Sequence, residues 1–142
     1  KIKYTYHNYV NTGAISGLDV ARALSQDPAL VFKTLVTTGK SAAHYVFLIP
    51  VNRELDLKKA AKSVAEKKIE MIKSKDLLAL TGYIHGGCSP IGMKKRFKTV
   101  IDESANNHET IIFSAGKIGY QIEISLAELK RIIDFELCDV SE

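Results

Sequence analysis

Apolar residues recur at helical spacing in four segments of the chain, which we predict to be helices. These segments begin after Gly17, at Asp56, at Ser74 and at Ser125. The first must end before Pro28, because proline disfavours helix in the residue that precedes it. The second runs to about residue 67 and has a stripe that we predict to be buried, made of Leu57, Ala60, Ala61 and Val64. Ser125 and Glu128 have the spacing of a capping box, in which each side chain binds the other residue's backbone amide.

Short runs rich in β-branched and aromatic residues separate these helices and predict strands. They cover residues 31–38, 43–51, 69–72, 99–101, 110–113 and 120–124, with a further extended segment around Tyr4, Tyr6 and Tyr9. Strands and helices interleave irregularly and the turns between neighbouring strands are short, so several neighbours should be antiparallel. The pattern therefore favours an α+β fold with a mixed sheet over a doubly wound parallel sheet.

Length and composition indicate one globular domain. The chain of 142 residues contains 46% hydrophobic and 25% charged residues, which is typical of a single domain, so we assign residues 1–142 to one unit. Its longest apolar stretch, residues 45–51, is too short to cross a bilayer, and the first residues lack the layout of a signal peptide. We expect a cytoplasmic protein without membrane contact, with Cys88 and Cys138 both reduced. Because the chain opens abruptly, we also expect residues to be missing before Lys1.

Basic residues form two clusters suited to holding phosphates. The chain carries 20 basic and 16 acidic residues, a net charge of +4 with neutral histidines. The first cluster, within residues 58–68, is explained equally well as the solvated face of a helix. The second includes Lys94, Lys95 and Arg96 and directly follows a glycine-rich loop. We predict that these three side chains contact the backbone of a nucleic acid.

Three short segments contain residues suited to ligand binding or catalysis. Lys33 lies in an apolar run, so it either points outward from the sheet or is a fixed cation that faces a carbonyl or phosphate, because burying an unpaired ammonium is costly. Gly86 and Gly87 let the backbone approach a ligand and turn amides toward an oxyanion, although a bare turn is the simpler explanation. The turn that contains Ser114 and Gly116 is either a second ligand site or a hairpin connection.

Other kinds of active site have less support in the sequence. Cys88 is a candidate thiol nucleophile only if His85 or His108 holds it as a thiolate, a contact that sequence does not reveal. The four histidines lack the spacing of zinc ligands, and the chain has no Gly-x-Ser-x-Gly motif. We therefore expect neither a metal nor a cofactor.

Five blocks of the sequence, in the same order and with similar spacing, resemble the YbaK/EbsC family. They are VFKTLV at 31–36, LKKAAK at 57–62, KKIEM at 67–71, TGYIHGGCSPIGMKK at 81–95 and SAGKIG at 114–119. The resemblance extends from about Gly17 to the end of the chain. It weakens before Gly17, where residues 10–15 replace the family's usual histidine and acidic-proline segment and Ser16 stands where an aromatic residue is common.

The resemblance implies both a fold and a set of site residues. Members of the family are similar to the editing domain inserted in bacterial prolyl-tRNA synthetases, which implies a barrel-like, mixed and largely antiparallel sheet flanked by helices. The family's essential lysine corresponds to Lys33, its carbonyl-facing glycine to Gly86, its pocket serine to Ser114 and its pocket tyrosine to Tyr9. We predict that Lys33 and Gly86 are catalytic. The residues predicted to bind the substrate are Tyr9, Thr34, Gly87, Ser89, Pro90, Ser114 and Gly116.

The activity that the resemblance implies is the removal of cysteine from Cys-tRNA(Pro), with Cys-tRNA(Cys) as a further substrate. In the implied route the thiol of the bound cysteine attacks its own ester carbonyl, so the protein needs no nucleophile or metal of its own. The expected partners are tRNA(Pro) and a complex with prolyl-tRNA synthetase. The alternative is a module that binds charged tRNA or a synthetase without turnover, since the basic clusters and the glycine loop suit that role equally well.

Overall fold

The structure, a computed structural model, describes residues 1–14 and 16–142. The strands among these residues are β1 (Thr5–Asn8), β2 (Phe32–Gly39), β3 (His44–Pro50), β4 (Ile69–Met71), β5 (Lys98–Asp102), β6 (Ile111–Ser114), β7 (Tyr120–Ile124) and β8 (Glu136–Cys138). The α-helices are α1 (Gly17–Ala23), α2 (Leu57–Ser63), α3 (Ser74–Thr81) and α4 (Leu126–Lys130), and Val10–Thr12 and Glu103–Asn107 form 3₁₀ turns. Within this described part of the chain, no helix combines the length and apolarity needed to cross a membrane.

The strands form two sheets. The larger has the order β4-β2-β3-β5-β8, in which β5 runs parallel to both of its neighbours and the other pairs are antiparallel. The smaller has the order β1-β7-β6 and is antiparallel throughout. An isolated parallel bridge between Val31 and Ile112 connects the two sheets. The predicted α+β class and mixed sheet are confirmed, whereas the expected barrel-like sheet does not close into a barrel among the described residues.

Side chains of β2 alternate between two hydrophobic clusters, because successive residues of a strand point to opposite faces. Phe32 and Val36 belong to the cluster that also contains Phe113 of the small sheet. Leu35 packs against the other cluster, which contains Phe47 and is covered by residues of α2. Both faces of the large sheet are therefore packed, and Lys33 and Thr34 leave β2 toward opposite faces.

The outer edge of β2, on the side away from β3, is covered only at its two ends. β4 pairs with residues 37–39, and the bridge to Ile112 is made at Val31. Between these points, and counting only the described residues, no strand pairs with this edge of β2 at residues 32–35. An unpaired strand edge presents backbone N–H and C=O groups. This gap leaves a stretch of β2 backbone accessible at the place where a cavity opens.

The predicted helices are all present, but three details of the predictions were wrong. Helix α2 ends at Ser63 rather than near residue 67, and Ala65 just beyond it has a left-handed φ of 56°. Leu57 is 43% exposed because it begins this helix, ahead of the buried Ala60 and Ala61. The capping box is half formed: the Ser125 hydroxyl accepts from the Glu128 amide at 3.2 Å. The Glu128 carboxylate instead accepts hydrogen bonds from Lys3 and Arg131.

Every predicted strand is present, and one strand was missed. β8 has three residues, of which Glu136 and Leu137 are exposed, so neither alternation nor a buried apolar run marks it in the sequence. It is held instead by parallel pairing with β5, a contact between residues distant in the chain.

Candidate active site

A cavity of about 680 Å³ opens along the free edge of β2, and we call it the β2 cavity. Its other walls come from α1, the start of α3, the loop at residues 85–88 and the small sheet. Much of the lining is apolar and includes Val20, Val31, Phe32, Val51, Leu77 and Phe113. A volume between ~300 and ~1,000 Å³, mostly apolar walls and a few converging polar groups are typical of small-molecule sites.

Lys33 is the cation of the β2 cavity. Its ammonium lies 4.0 Å from the carboxylate of Glu54, and the two side chains are 30% and 83% exposed. A pair this long with a solvated partner is worth little. The Lys33 ammonium is therefore available to an oxygen of a bound substrate, as its predicted role as a cation requires.

Two hydroxyl groups on the cavity wall have bonding capacity left. The Thr34 hydroxyl is buried and has no hydrogen-bond partner within the described structure. Leaving such a group unpaired costs ~1–3 kcal/mol. The Ser114 oxygen accepts the Gly116 amide at 3.2 Å, which leaves its own proton free to donate. Thr34 lies on β2 and Ser114 on β6, and both residues line the cavity.

Gly86 brings exposed backbone to the cavity wall. Its φ of +86° lies in the left-handed region that favours glycine, and the Gly87 amide closes the turn by donating to the Ile84 carbonyl at 3.0 Å. His85 lies beside Gly86 and also lines the cavity. Lys33 and Gly86 thus border the same cavity, which is the arrangement that their predicted joint role requires.

Four other predicted substrate-binding residues lie behind the cavity wall. Gly87, Ser89 and Pro90 are buried, and the Ser89 hydroxyl accepts from the Ile91 amide at 3.2 Å. Gly116 has a φ of +101°, and a Cβ there would lie 2.8 Å from the ring of Tyr83. These residues do not line the cavity, and in this structure they shape the two turns that do. Their direct contact with a substrate stays a prediction.

The N-terminal segment contributes the buried Tyr9 to the cavity wall. The Tyr9 amide donates to the Gly119 carbonyl at 2.7 Å, which ties it to the start of β7. Ser16 also lines the cavity and caps α1 by accepting from the Asp19 amide at 3.2 Å. Ile15, the last residue of the segment that departs from the family pattern, lies outside the described residues.

The basic side chains predicted to hold a nucleic acid backbone are exposed and lie outside the cavity lining. They are Lys94, Lys95 and Arg96. The Lys94 amide donates to the Thr81 carbonyl at 3.0 Å, which fixes the start of this loop against α3. Their role stays a prediction.

Gln121 is a buried polar residue of the cavity that sequence reasoning missed. It faces Ser114 in the register between β6 and β7 and is 4% exposed. Its carbonyl oxygen accepts from the Gln26 amide at 2.9 Å. The sequence did offer one signal for Gln121: it lies between two apolar residues of a predicted strand, opposite the predicted site residue Ser114.

Cys88 lines the cavity as a buried thiol. Burial raises its pKa to about 11, although a hydrogen bond with Thr81 lowers it in part. Among the hydrogen bonds of the described residues, none joins Cys88 to His85 or His108. The thiol is protonated at neutral pH, which argues against a cysteine nucleophile. The described residues also contain no group of three or more His, Cys, Asp or Glu side chains placed to hold a metal ion.

Comparison with known proteins places this site in a family. A model of the aminoacyl-tRNA editing domain matches residues 15–132 of the chain. The chain belongs to the aminoacyl-tRNA editing domain family. Within it, the chain is 43% identical over 142 residues to an Enterococcus faecalis protein named as a candidate Cys-tRNA(Pro)/Cys-tRNA(Cys) deacylase, EbsC, covering 99% of this chain and 87% of that protein.

Solved structures have the same editing-domain fold at low sequence identity. A candidate trans-editing enzyme for prolyl-tRNA synthetase superimposes with a TM-score of 0.84 at 22% identity, covering 99% of this chain and 87% of the other. The hypothetical protein APE2540 gives a TM-score of 0.85 at 19% identity, covering 99% and 92%. At these identities the likeness establishes the fold.

Proposed function

We propose that this chain is an aminoacyl-tRNA deacylase that hydrolyses the ester of wrongly charged tRNA, with Cys-tRNA(Pro) and Cys-tRNA(Cys) as its substrates. The observation that carries the proposal is that one cavity is lined by Lys33, by Gly86 and by the hydroxyl-bearing residues Thr34 and Ser114. Membership of the editing-domain family supports the reaction type, and the name of the Enterococcus faecalis relative supports the substrates.

The β2 cavity is large enough to admit more than an amino acid. Its volume of about 680 Å³ falls in the range of sites that enclose whole small molecules, so the terminal adenosine can enter with the amino acid that it carries. Lys33 binds the adenosine or its phosphate as a point charge. The apolar wall that includes Val20 and Leu77 then surrounds the rest of the ligand.

The reacting ester is oriented by polar groups from two sides. Backbone amides at the Gly86 turn stabilise the negative charge that develops on the ester oxygen. The Thr34 and Ser114 hydroxyls hold the ester in place from the strand side. Fixing the ester and the substrate thiol in contact removes much of the entropic barrier to their reaction.

The nucleophile is the thiol of the bound cysteine. Its sulfur forms a bond to the ester carbonyl carbon, the bond from that carbon to the ribose oxygen breaks, and the thiol proton passes to the ribose oxygen. The products are tRNA and a strained thiolactone, which water opens to free cysteine. This route fits a site whose only protein thiol, Cys88, is held protonated by burial.

Substrate-assisted chemistry also supplies selectivity that a pocket cannot. Cysteine and proline are similar in size, and a difference of one methylene in an apolar pocket discriminates by only ~10–200-fold. A correctly charged prolyl ester has no thiol, so it remains intact even if it enters the cavity. In this proposal, a complex with prolyl-tRNA synthetase makes the residual choice among tRNAs. A cytoplasmic location follows from this role in translation.

The test is a deacylation time course with the purified chain on a matched set of charged tRNAs. We expect release of cysteine from Cys-tRNA(Pro) and Cys-tRNA(Cys), and no release from Ser-tRNA(Pro), in which a hydroxyl replaces the thiol at nearly the same shape. Addition of prolyl-tRNA synthetase should restrict activity to tRNA(Pro). Equal hydrolysis of the serine and cysteine esters would exclude substrate assistance.

The alternative function, binding without turnover, is decided by the same experiment. A chain that retains Cys-tRNA(Pro) on a filter but never accelerates its deacylation is a binding module. The basic clusters alone do not distinguish the two functions, since phosphate contacts serve both.

A further inference from the structure

Two tyrosines stack on each other at the surface of the small sheet, next to a lysine. The rings of Tyr6 and Tyr120 are 5.6 Å apart between centroids and inclined at 27°. The Lys117 ammonium lies 5.5 Å from the centroid of the Tyr120 ring. We call Tyr6 and Tyr120 the tyrosine pair.

Core packing does not account for the tyrosine pair. Tyr6 lies on β1, which forms one edge of the small sheet, and its side chain is 55% exposed. One side of the Tyr6 ring faces Tyr120, and the exposed side is open to solvent. Aromatic rings left exposed beside a cation are the combination with which proteins bind single-stranded nucleic acids, since every base offers a flat face for stacking.

The tyrosine pair lies at the same end of the small sheet as the β2 cavity. Tyr120 is the first residue of β7 and pairs with Asn8, the last residue of β1. The residues that follow these two in the chain, Gln121 and Tyr9, both line the cavity. Successive strand residues point to opposite faces. The tyrosine pair and Gln121 therefore lie on opposite faces of β7, and a polymer that leaves the cavity reaches the pair by passing around this end of the sheet.

We propose that the tyrosine pair is a stacking site for an unpaired base of the single-stranded 3′ end of the charged tRNA, next to the terminal adenosine held in the β2 cavity. The base stacks on the open face of Tyr6, and Lys117 neutralises the phosphate between the two nucleotides. This inference rests on the proposed deacylase function, because that function brings a charged tRNA end to the cavity. It assigns a second subsite, outside the cavity, to the exposed face of β1.

The activity test compares two substrates with one variant. Charged tRNA contains the upstream nucleotides, whereas cysteine esterified to adenosine alone lacks them. Tyr6→Leu keeps apolar volume but removes the flat ring, so we expect kcat/KM on charged tRNA to fall by roughly 5- to 100-fold through KM, the loss that corresponds to one stacked base. Activity of the same variant on the cysteinyl-adenosine ester should match the wild type. Tyr6→Phe should keep both activities.

Tyr4→Leu is the matched control. Tyr4 is also an exposed tyrosine, two residues earlier in the chain, but it is not part of the tyrosine pair. We expect unchanged kinetics on both substrates. An equal loss for Tyr6→Leu on both substrates would mean that Tyr6 only supports the fold of the cavity, and no loss on either would remove the stacking site; both results overturn the proposal.

A binding measurement decides the matter even if the chain deacylates nothing. The chain has 6 tyrosines and no tryptophan, so its intrinsic fluorescence reports tyrosine alone. Titration with the single-stranded trinucleotide CCA should quench this emission in the wild type and Tyr4→Leu, and to a smaller extent in Tyr6→Leu, in which Tyr9 on the cavity wall remains to respond. Absent quenching in the wild type overturns the proposal. The proposal is also overturned if sedimentation shows a dimer that Tyr6→Leu abolishes while Tyr6→Leu leaves the quenching by CCA unchanged. The surface would then join two copies of the chain.

Discussion

Two cavities among the described residues have nearly equal volume, but the lysines that line them differ in their partners. The β2 cavity measures about 680 Å³, and a second one, near the C-terminus, about 660 Å³. We call the second the polar cavity; its lining includes Arg53, Lys59, Asp102, Glu103 and Asp139. Volume alone would make the two equally good candidates for an active site.

In the polar cavity the charged groups already bind each other. The Lys59 ammonium donates to Asp139 at 3.1 Å and to the Ser141 carbonyl at 3.2 Å. Burial opposes ionisation of Asp102, but hydrogen bonds from Ser104, the Val140 amide and Ser141 outweigh it and lower the Asp102 pKa. Lys59, Asp139 and Asp102 of this cavity are thus already paired, although the buried Ser104 hydroxyl has no partner within the described structure.

In the β2 cavity, Lys33 and Thr34 lack close partners. The nearest carboxylate to the Lys33 ammonium is 4.0 Å away and solvated, and the Thr34 hydroxyl has no partner within the described structure. A site evolved to bind a polar ligand keeps such capacity open until the ligand arrives, because groups that already bind each other must be separated first. A lysine without a close partner, rather than volume, distinguishes the β2 cavity from the polar cavity.

The largest expected effect comes from exchanging lysine for methionine in each cavity. Lys33→Met keeps an unbranched apolar stem but removes the charge, and we expect single-turnover deacylation of Cys-tRNA(Pro) to slow by a factor on the order of 10²–10³, as for loss of one well-placed electrostatic contact. Lys59→Met is the matched control in the polar cavity and should leave the rate unchanged. Circular dichroism checks that both variants fold. Wild-type rates from folded Lys33→Met would remove Lys33 from the mechanism.

A second prediction concerns stability in the polar cavity. The folded-state pKa of Asp102 is lowered, so this carboxylate stabilises the fold above its unfolded pKa of ~3.9, and that contribution is lost as the pH falls through the folded pKa. Asp102→Asn should lower the free energy of unfolding at neutral pH by ~1–3 kcal/mol, because buried donors lose a charged acceptor. Urea unfolding across a pH series measures this.

Two further results of that series test the assignment. The variant should lose part of the stability decrease that the wild type undergoes on acidification below about pH 4. Deacylation per folded molecule should stay at the wild-type level, because Asp102 lies outside the β2 cavity. An unaltered pH dependence in Asp102→Asn would show that other carboxylates control acid stability.

The local secondary structure could be predicted from the sequence, but the open edge of β2 could not. Strands such as β2 and β3 were predictable because their β-branched runs encode burial on both faces. The gap beside residues 32–35 arises because β4 is short and pairs only with residues 37–39, a consequence of contacts between distant segments. Local patterning carries no information about which edge stays free.

The candidate site was predictable to a similar, partial extent. Family blocks pointed to Lys33 and Gly86, which the structure brings to one cavity. Gln121 was missed, because a polar residue within a strand is usually taken to face solvent and its burial depends on pairing between β6 and β7. The glycines in the sequence predicted the turns at Gly86 and Gly116. Which of their residues line the cavity and which support it from behind could be seen only in the folded structure.

Thr34→Val has the smallest expected effect on the deacylation rate. It gives the sharpest contrast, because activity and stability should change in opposite directions. Thr34→Val removes a hydroxyl at nearly constant shape. Since that hydroxyl is buried without a partner, the free energy of unfolding should stay equal or rise. Deacylation should slow by roughly 2- to 10-fold, the equivalent of one neutral hydrogen bond to the ester.

The matched control is Thr37→Val in the same strand, where the hydroxyl donates to the Tyr45 carbonyl at 3.0 Å. Thr37→Val should lower the free energy of unfolding and leave the deacylation rate unchanged. A loss of stability in Thr34→Val would instead mean that the Thr34 hydroxyl serves the fold rather than the substrate.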